Sequence, residues 1–296
     1  MGGVQIFWDP GGFELDSLGR NKLTRITDGD TPFVELSIRM LSIDTPEVHY
    51  PGNANPARHD ENLRQLADWL QAGKAPVEDD LAAYLHPKLK TGEAGTLQRQ
   101  QGEAATRAFQ TLLEQNLAKP NGRKRSLFLR AADEPFDRYG RLLAYIAPSY
   151  STEERLQMTL LERATFNLLL VAEGWAAPFL IYPSLPQYHD LVLFCQVART
   201  AHEENRGIWS DPNTLAGYEF RMAYKLWKVT RDLERGRRLG SSERNAWIDR
   251  YCADLTTREV FEPQRYHRIP PYHRLFLWPF DIKEAVGRLN LLPGLD

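Results

Sequence analysis

The residues able to do chemistry gather in one short stretch. Thr27-Asp28-Gly29-Asp30-Thr31 is followed by Arg39-Met40-Leu41-Ser42-Ile43-Asp44-Thr45-Pro46-Glu47. Asp30 and Asp44 are hard oxygen donors of the kind that Ca2+ or Mg2+ selects, and in an irregular turn the Thr45 carbonyl can join them. Arg39 offers a planar fork that binds phosphate through two bonds at once. Arg141, far downstream in Phe136-Asp137-Arg138-Tyr139-Gly140-Arg141, offers another. Glu47 follows Asp44 closely, and Pro46 fixes the chain between them, so its carboxylate can aim at a water beside a metal. Phosphodiester hydrolysis needs these parts: cations for the growing negative charge and a base for the attacking water. Any one of these residues alone reads as a solvated surface charge. The expectation rests on the set.

These residues need strands and turns to position them. Leu23-Thr24-Arg25-Ile26-Thr27 and Phe33 to Ile38 alternate apolar and polar residues and read as half-buried strands, with turn chemistry at Asp28-Gly29-Asp30. Ser126 to Arg130 and Leu142 to Ile146 read as two more strands. Leu63, Leu66, Ala67 and Leu70 follow helical spacing ahead of Gly73, and Val77 to His86 reads as a second short helix. Gln101 to Leu117 is amphipathic, with Ala105, Phe109, Leu112 and Leu113 on one face. Ser151-Thr152-Glu153-Glu154 resembles a capping box that opens a helical region reaching Glu173-Gly174. Leu191 to Asn205 reads as a helix stopped by Gly207. Residues of about 51–98 read as an insertion between the strands and the Gln101 helix.

From about residue 217 the chain becomes rich in arginine and aromatic residues. Phe220, Ala223, Trp227 and Thr230 fit one helix, Ser242 to Asp254 another, and Asp281 starts a last short one. The expected division is therefore a domain over 1–216 and a helical extension over 217–296. A net charge of −2 gives no global basic field, so nucleic acid must be met by a local patch. Cys195 and Cys252 lie in no metal-binding spacing and suggest a reducing compartment. Met1 to Pro10 lacks the pattern of a secretory signal, and the apolar runs are too short for a bilayer. The expectation is a cytoplasmic protein without a membrane partner.

Taken together, the chain resembles the staphylococcal nuclease (thermonuclease) family. The resemblance rests on a strand, Asp28-Gly29-Asp30-Thr31, a strand with Arg39, Asp44-Thr45-Pro46-Glu47, a helix, a strand, Asp137-Arg138-Tyr139-Gly140-Arg141 and another strand. It continues through Asn167, Gly174-Trp175-Ala176, Tyr182 and Gly207-Ile208-Trp209-Ser210. It implies an α+β fold: an OB-fold five-stranded β-barrel with packed helices, here with a helical insertion and a mainly helical C-terminal extension. It implies Ca2+ held by Asp30, Asp44 and the Thr45 carbonyl, with Mg2+ or Mn2+ as alternatives. Arg39 and Arg141 would contact the scissile phosphate, and Glu47 would act as general base. Tyr139 and Tyr182 match tyrosines that contact the nucleotide. The implied reaction cleaves DNA or RNA and leaves 3′-phosphate ends. Three departures stand out: a short stretch from Asp30 to Arg39, an enlarged loop after Glu47, and Leu180 where the family has a tyrosine.

Two other readings remain at this level. One is a catalytically weak nucleic-acid-binding or adaptor module on the same barrel. The other assigns residues 217–296 to oligomerisation or to docking a partner protein.

Overall fold

The computed structural model describes residues 21–119, 121–137 and 139–294. The N-terminal signal reading and Arg138 lie outside them. The chain divides into two compact units. One holds residues up to Arg39 together with Ala131–Ala144; the other holds Met40–Arg130 and Tyr145 onward.

In the first unit, β1 (Lys22–Ile26) and β2 (Pro32–Glu35) pair antiparallel across the predicted turn. β3 (Ile38–Met40) follows. The second unit begins with β4 (Ile43–Asp44). The insertion then contributes α1 (Asp60–Gln71) and α2 (Asp79–Leu89), and α3 runs over Ala94–Leu117. Leu63, Leu66 and Leu70 bury one face of α1, and Leu81, Leu85 and Leu89 bury the matching face of α2. α3 begins earlier than its apolar periodicity suggests. The Asp60 carboxylate accepts its first N–H groups, from Gly95 at 2.6 Å and Thr96 at 3.0 Å.

β5 (Leu127–Phe136) and β6 (Leu142–Pro148) join β3 in a sheet of order β3-β6-β5, and the limits of the two units fall within these strands. The expected helical region of 151–174 is broken into α4 (Thr152–Gln157) and α5 (Phe166–Ala172), each with its own N-cap, Ser151 and Thr165. β7 (Ala177–Pro178), β8 (Leu180–Ile181) and α6 (Tyr188–Glu203) follow.

Beyond them, α7 (Gly217–Glu234) is the predicted tail helix. The tail is otherwise less helical than expected. Only α8 (Ser241–Asn245) forms where a helix of 242–254 was anticipated, and β9 (Tyr251–Asp254) replaces the remainder. β10 (Glu259–Phe261), β11 (Arg274–Leu277), α9 (Ile282–Leu289) and β12 (Leu292–Pro293) complete the chain. Cys252 and Ala253 are fully buried and pair with Phe276 and Leu275, and this sheet pairing outweighs local helix propensity.

The fold is thus mixed α+β, but the five-stranded sheet is not the expected barrel. Its order is β12-β10-β9-β11-β8, so four of its five strands come from residues 217–296. The other strands form sheets of two and three, and their described pairings do not close a ring. α1, α2, α7 and the sheet share one core, through Leu66, Leu85, Phe220, Leu226, Trp247 and Phe276. Phe220, Leu226, Trp247 and Phe276 of the tail are therefore spent on the chain's own interior, whereas Phe280 and Leu292 are exposed. Among the described residues no helix is long and apolar enough to cross a membrane.

Candidate nucleic-acid site

Asp44 owes its position to four supports. Ser42 takes a left-handed backbone, with φ of 64°, and its hydroxyl meets the Tyr145 hydroxyl at 2.6 Å. Such a conformation in a residue with a side chain is strained, and the surroundings must hold it. The buried Asn167 amide bridges the Leu41 carbonyl (2.8 Å) and the Ile146 N–H (3.1 Å). β4 pairs with β7, setting Asp44 opposite Ala177. Phe179 donates its N–H to the Ser42 carbonyl at 2.8 Å.

Glu47 is held from α3. With the buried Gln98 amide oriented to satisfy both of its groups, its oxygen accepts from the Glu47 N–H at 2.8 Å. Its nitrogen donates to the Leu215 carbonyl at 3.0 Å. Gly102 lies so close to this loop that an added Cβ would stand 2.8 Å from the Pro46 carbonyl oxygen.

The two carboxylates converge on a residue that the sequence did not single out. Arg221, on the first turns of α7, directs Nη2 at both Asp44 oxygens, at 3.2 and 3.0 Å, and donates Nη1 to Glu47 Oε1. The Asp44 side chain is 1% exposed and that of Arg221 22%. Burial opposes the guanidinium's charge, but Asp44 and Glu47 more than offset it and raise its pKa above the ordinary arginine value. Gly217, also on α7, packs onto the same donors. A Cβ there would stand 2.5 Å from the Thr45 carbonyl oxygen and 2.6 Å from Asp44 Oδ2. Nothing in the local sequence marks Arg221, which is one arginine in a basic tail, 174 residues from Glu47.

A second missed arginine stands nearby. The Arg250 guanidinium lies 5.0 Å from the Phe179 ring centroid and 4.9 Å from that of Trp278, a cation–π arrangement. Burial lowers its pKa, Asp249 opposes the fall, Arg221 adds to it and Asp44 opposes it.

The other predicted residues have different settings. Asp30, Arg39, Tyr139 and Arg141 belong to the first unit. Asp30 is exposed in the β1–β2 turn and accepts from the Thr31 hydroxyl at 3.1 Å. Arg39 is half-buried on β3. Arg141 is oriented by Asp137, whose carboxylate accepts from Arg141 Nε at 2.8 Å and from the N–H groups of Tyr139 and Arg141. The exposed Tyr139 ring lies 5.4 Å from the Arg141 guanidinium. Tyr182, in the second unit, is only 5% exposed, and its N–H bonds the Phe276 carbonyl at 3.1 Å. It is packed as a core residue of the five-stranded sheet.

The implied Ca2+ set does not fit the donors as placed. Both Asp44 oxygens face a guanidinium, and Gly217 sits against the Thr45 carbonyl. Among the described residues no group of three or more Asp, Glu, His or Cys side chains could hold a metal.

The SNase family profile, described as staphylococcal nuclease homologue, matches residues 37–211, more than half of the chain. The protein belongs to the staphylococcal nuclease family. No curated protein matches the chain closely enough to add a named relative.

Proposed function

We propose that the chain is a nuclease that hydrolyses phosphodiester bonds of DNA or RNA, with 3′-phosphate ends expected from the family resemblance. The observation that carries this reading is the intact residue set of the matched family segment. Arg39, Asp44, Glu47 and Arg141 are all present, and Asp44 and Glu47 are gathered on one guanidinium. In this reading Arg39 and Arg141 bind and neutralise the phosphate, because a planar fork matches its oxygens. Glu47 orients the attacking water and accepts its proton. Tyr139, exposed beside Arg141, offers a ring to the nucleotide.

A second reading is favoured by the burial of Asp44 and its engagement by Arg221: a nucleic-acid-binding module with little turnover. Cleavage of plasmid DNA and single-stranded RNA separates the two. The nuclease reading expects cleavage that falls about a hundredfold or more in Glu47→Gln while nucleic-acid affinity changes little. Tight binding with no cleavage of either substrate by the wild type selects the binding module.

A further inference from the structure

A cation already stands between Asp44 and Glu47, supplied by the chain itself. The Arg221 fork spans the two carboxylates, with 3.0 Å from Nη2 to Asp44 Oδ2 and a further bond from Nη1 to Glu47. The family resemblance puts a divalent ion on Asp30, Asp44 and the Thr45 carbonyl, and here both Asp44 oxygens are taken by this guanidinium. Gly217 brings the α7 backbone against this loop, so close that an added Cβ would meet the Thr45 carbonyl oxygen at 2.5 Å. The Arg250 charge acts on Asp44 and Arg221 as well, adding positive potential near the carboxylates. A divalent cation would meet repulsion and find its oxygen donors spent.

The guanidinium is not on a detachable arm. The preceding residues of α7, Tyr218, Glu219 and Phe220, are all buried. Glu219 accepts from Arg274 at 3.0 Å, and both side chains are almost completely buried. Glu219 also accepts from the Tyr84 hydroxyl at 2.9 Å and the Ala216 N–H at 3.0 Å. Withdrawing Arg221 by moving α7 would break these contacts and open the core that α7 shares with α1 and the five-stranded sheet.

We infer that Arg221 is a resident cation and positioning residue that bridges Asp44 and Glu47 and takes the place of a divalent metal at Asp44. The site of the proposed nuclease therefore meets its phosphodiester substrate without a metal. The inference rests on the nuclease reading for its substrate, but its test does not use cleavage.

The test is Ca2+ binding, followed by titration calorimetry and by thermal unfolding with and without Ca2+, in wild type, Arg221→Met and Arg221→Lys. Wild type is expected to show neither saturable heat nor a Ca2+-dependent rise in Tm. Arg221→Met keeps the length and apolar stem but leaves the carboxylates without their cation. It is expected to lose Tm, to regain part of it with Ca2+, and to bind Ca2+ about tenfold or more tighter than wild type. Arg221→Lys is expected to recover Tm without Ca2+ and to stay unresponsive to it. A wild type that binds Ca2+ and is stabilised by it overturns the inference, and that result stands even if Arg221→Met does not fold. An identical Ca2+ response in wild type and Arg221→Met, whether present or absent in both, also overturns it.

Discussion

Glu219 is the most informative place to perturb the fold, because it anchors the helix that carries Arg221. Its side chain is 3% exposed and that of its partner Arg274 is 2% exposed. Arg274 also donates to the Tyr218 hydroxyl at 2.6 Å and to the Ile269 carbonyl at 2.8 Å. Burial, then the Glu219 charge, raises the Tyr84 phenol well above its ordinary pKa, so Tyr84 stays a hydrogen-bond donor to the carboxylate. Glu219→Ala leaves the Arg274 guanidinium buried without its counter-charge, which costs about 3–5 kcal/mol. Loss of the acceptor for the Ala216 N–H adds about 1 kcal/mol. For a chain of this size the Tm should fall by on the order of 10 °C. Urea unfolding followed by tryptophan fluorescence and circular dichroism measures the loss directly. The double variant Glu219→Met with Arg274→Met should recover much of it, since an apolar pair of similar volume avoids the desolvation cost of both charges. A loss under about 1 kcal/mol in Glu219→Ala, or a double variant as unstable as the two single losses added together, would refute the reasoning.

Other consequences follow from the same structure. Asp60→Ala should cost about 1–2 kcal/mol in urea unfolding, because its carboxylate receives the Gly95 and Thr96 N–H groups and the Thr96 hydroxyl at the start of α3. Burial lowers the pKa values of His59, His202, His267 and His273 below the ordinary 6.5. The unfolded chain then binds protons first as pH falls. The urea midpoint should therefore be lower at about pH 5.5 than at about pH 7.5, and an unchanged midpoint would contradict the burial of these rings. Burial raises the Cys195 thiol to about 11 and Cys252 to about 12, so both should react slowly with Ellman's reagent in the native protein and rapidly in urea.

The sequence carried the local half of this picture. Period-two patterning located β1, short apolar runs located β5 and β6, and apolar spacing located α1, α3 and α7. β6 and the helices bury one face, whereas β1, expected to be half-buried, is exposed, as are Leu127, Phe128 and Leu129 of β5. The link from Asp44 to Glu47 was legible because both sit in one short turn. Arg221 was not, since an ion pair across 174 residues leaves no periodic or local trace. β9 was misread as helix for a related reason. Tyr251 to Asp254 has no alternation of its own, and its pairing with β10 and β11 makes it a strand. Tyr182 matched a nucleotide-contacting position, yet β8 and β11 bring its backbone against Phe276 and bury its ring. The break between α4 and α5 follows from two separate N-caps, and the second, Thr165, was hidden within a run that looked continuous.

The most direct test of the account is cleavage of supercoiled plasmid and single-stranded RNA by metal-stripped protein, in EDTA and in Ca2+. With Arg221 in place of the metal, cleavage should proceed equally in both conditions and be lost in Glu47→Gln. Cleavage that appears only with Ca2+ and stops in EDTA would contradict it.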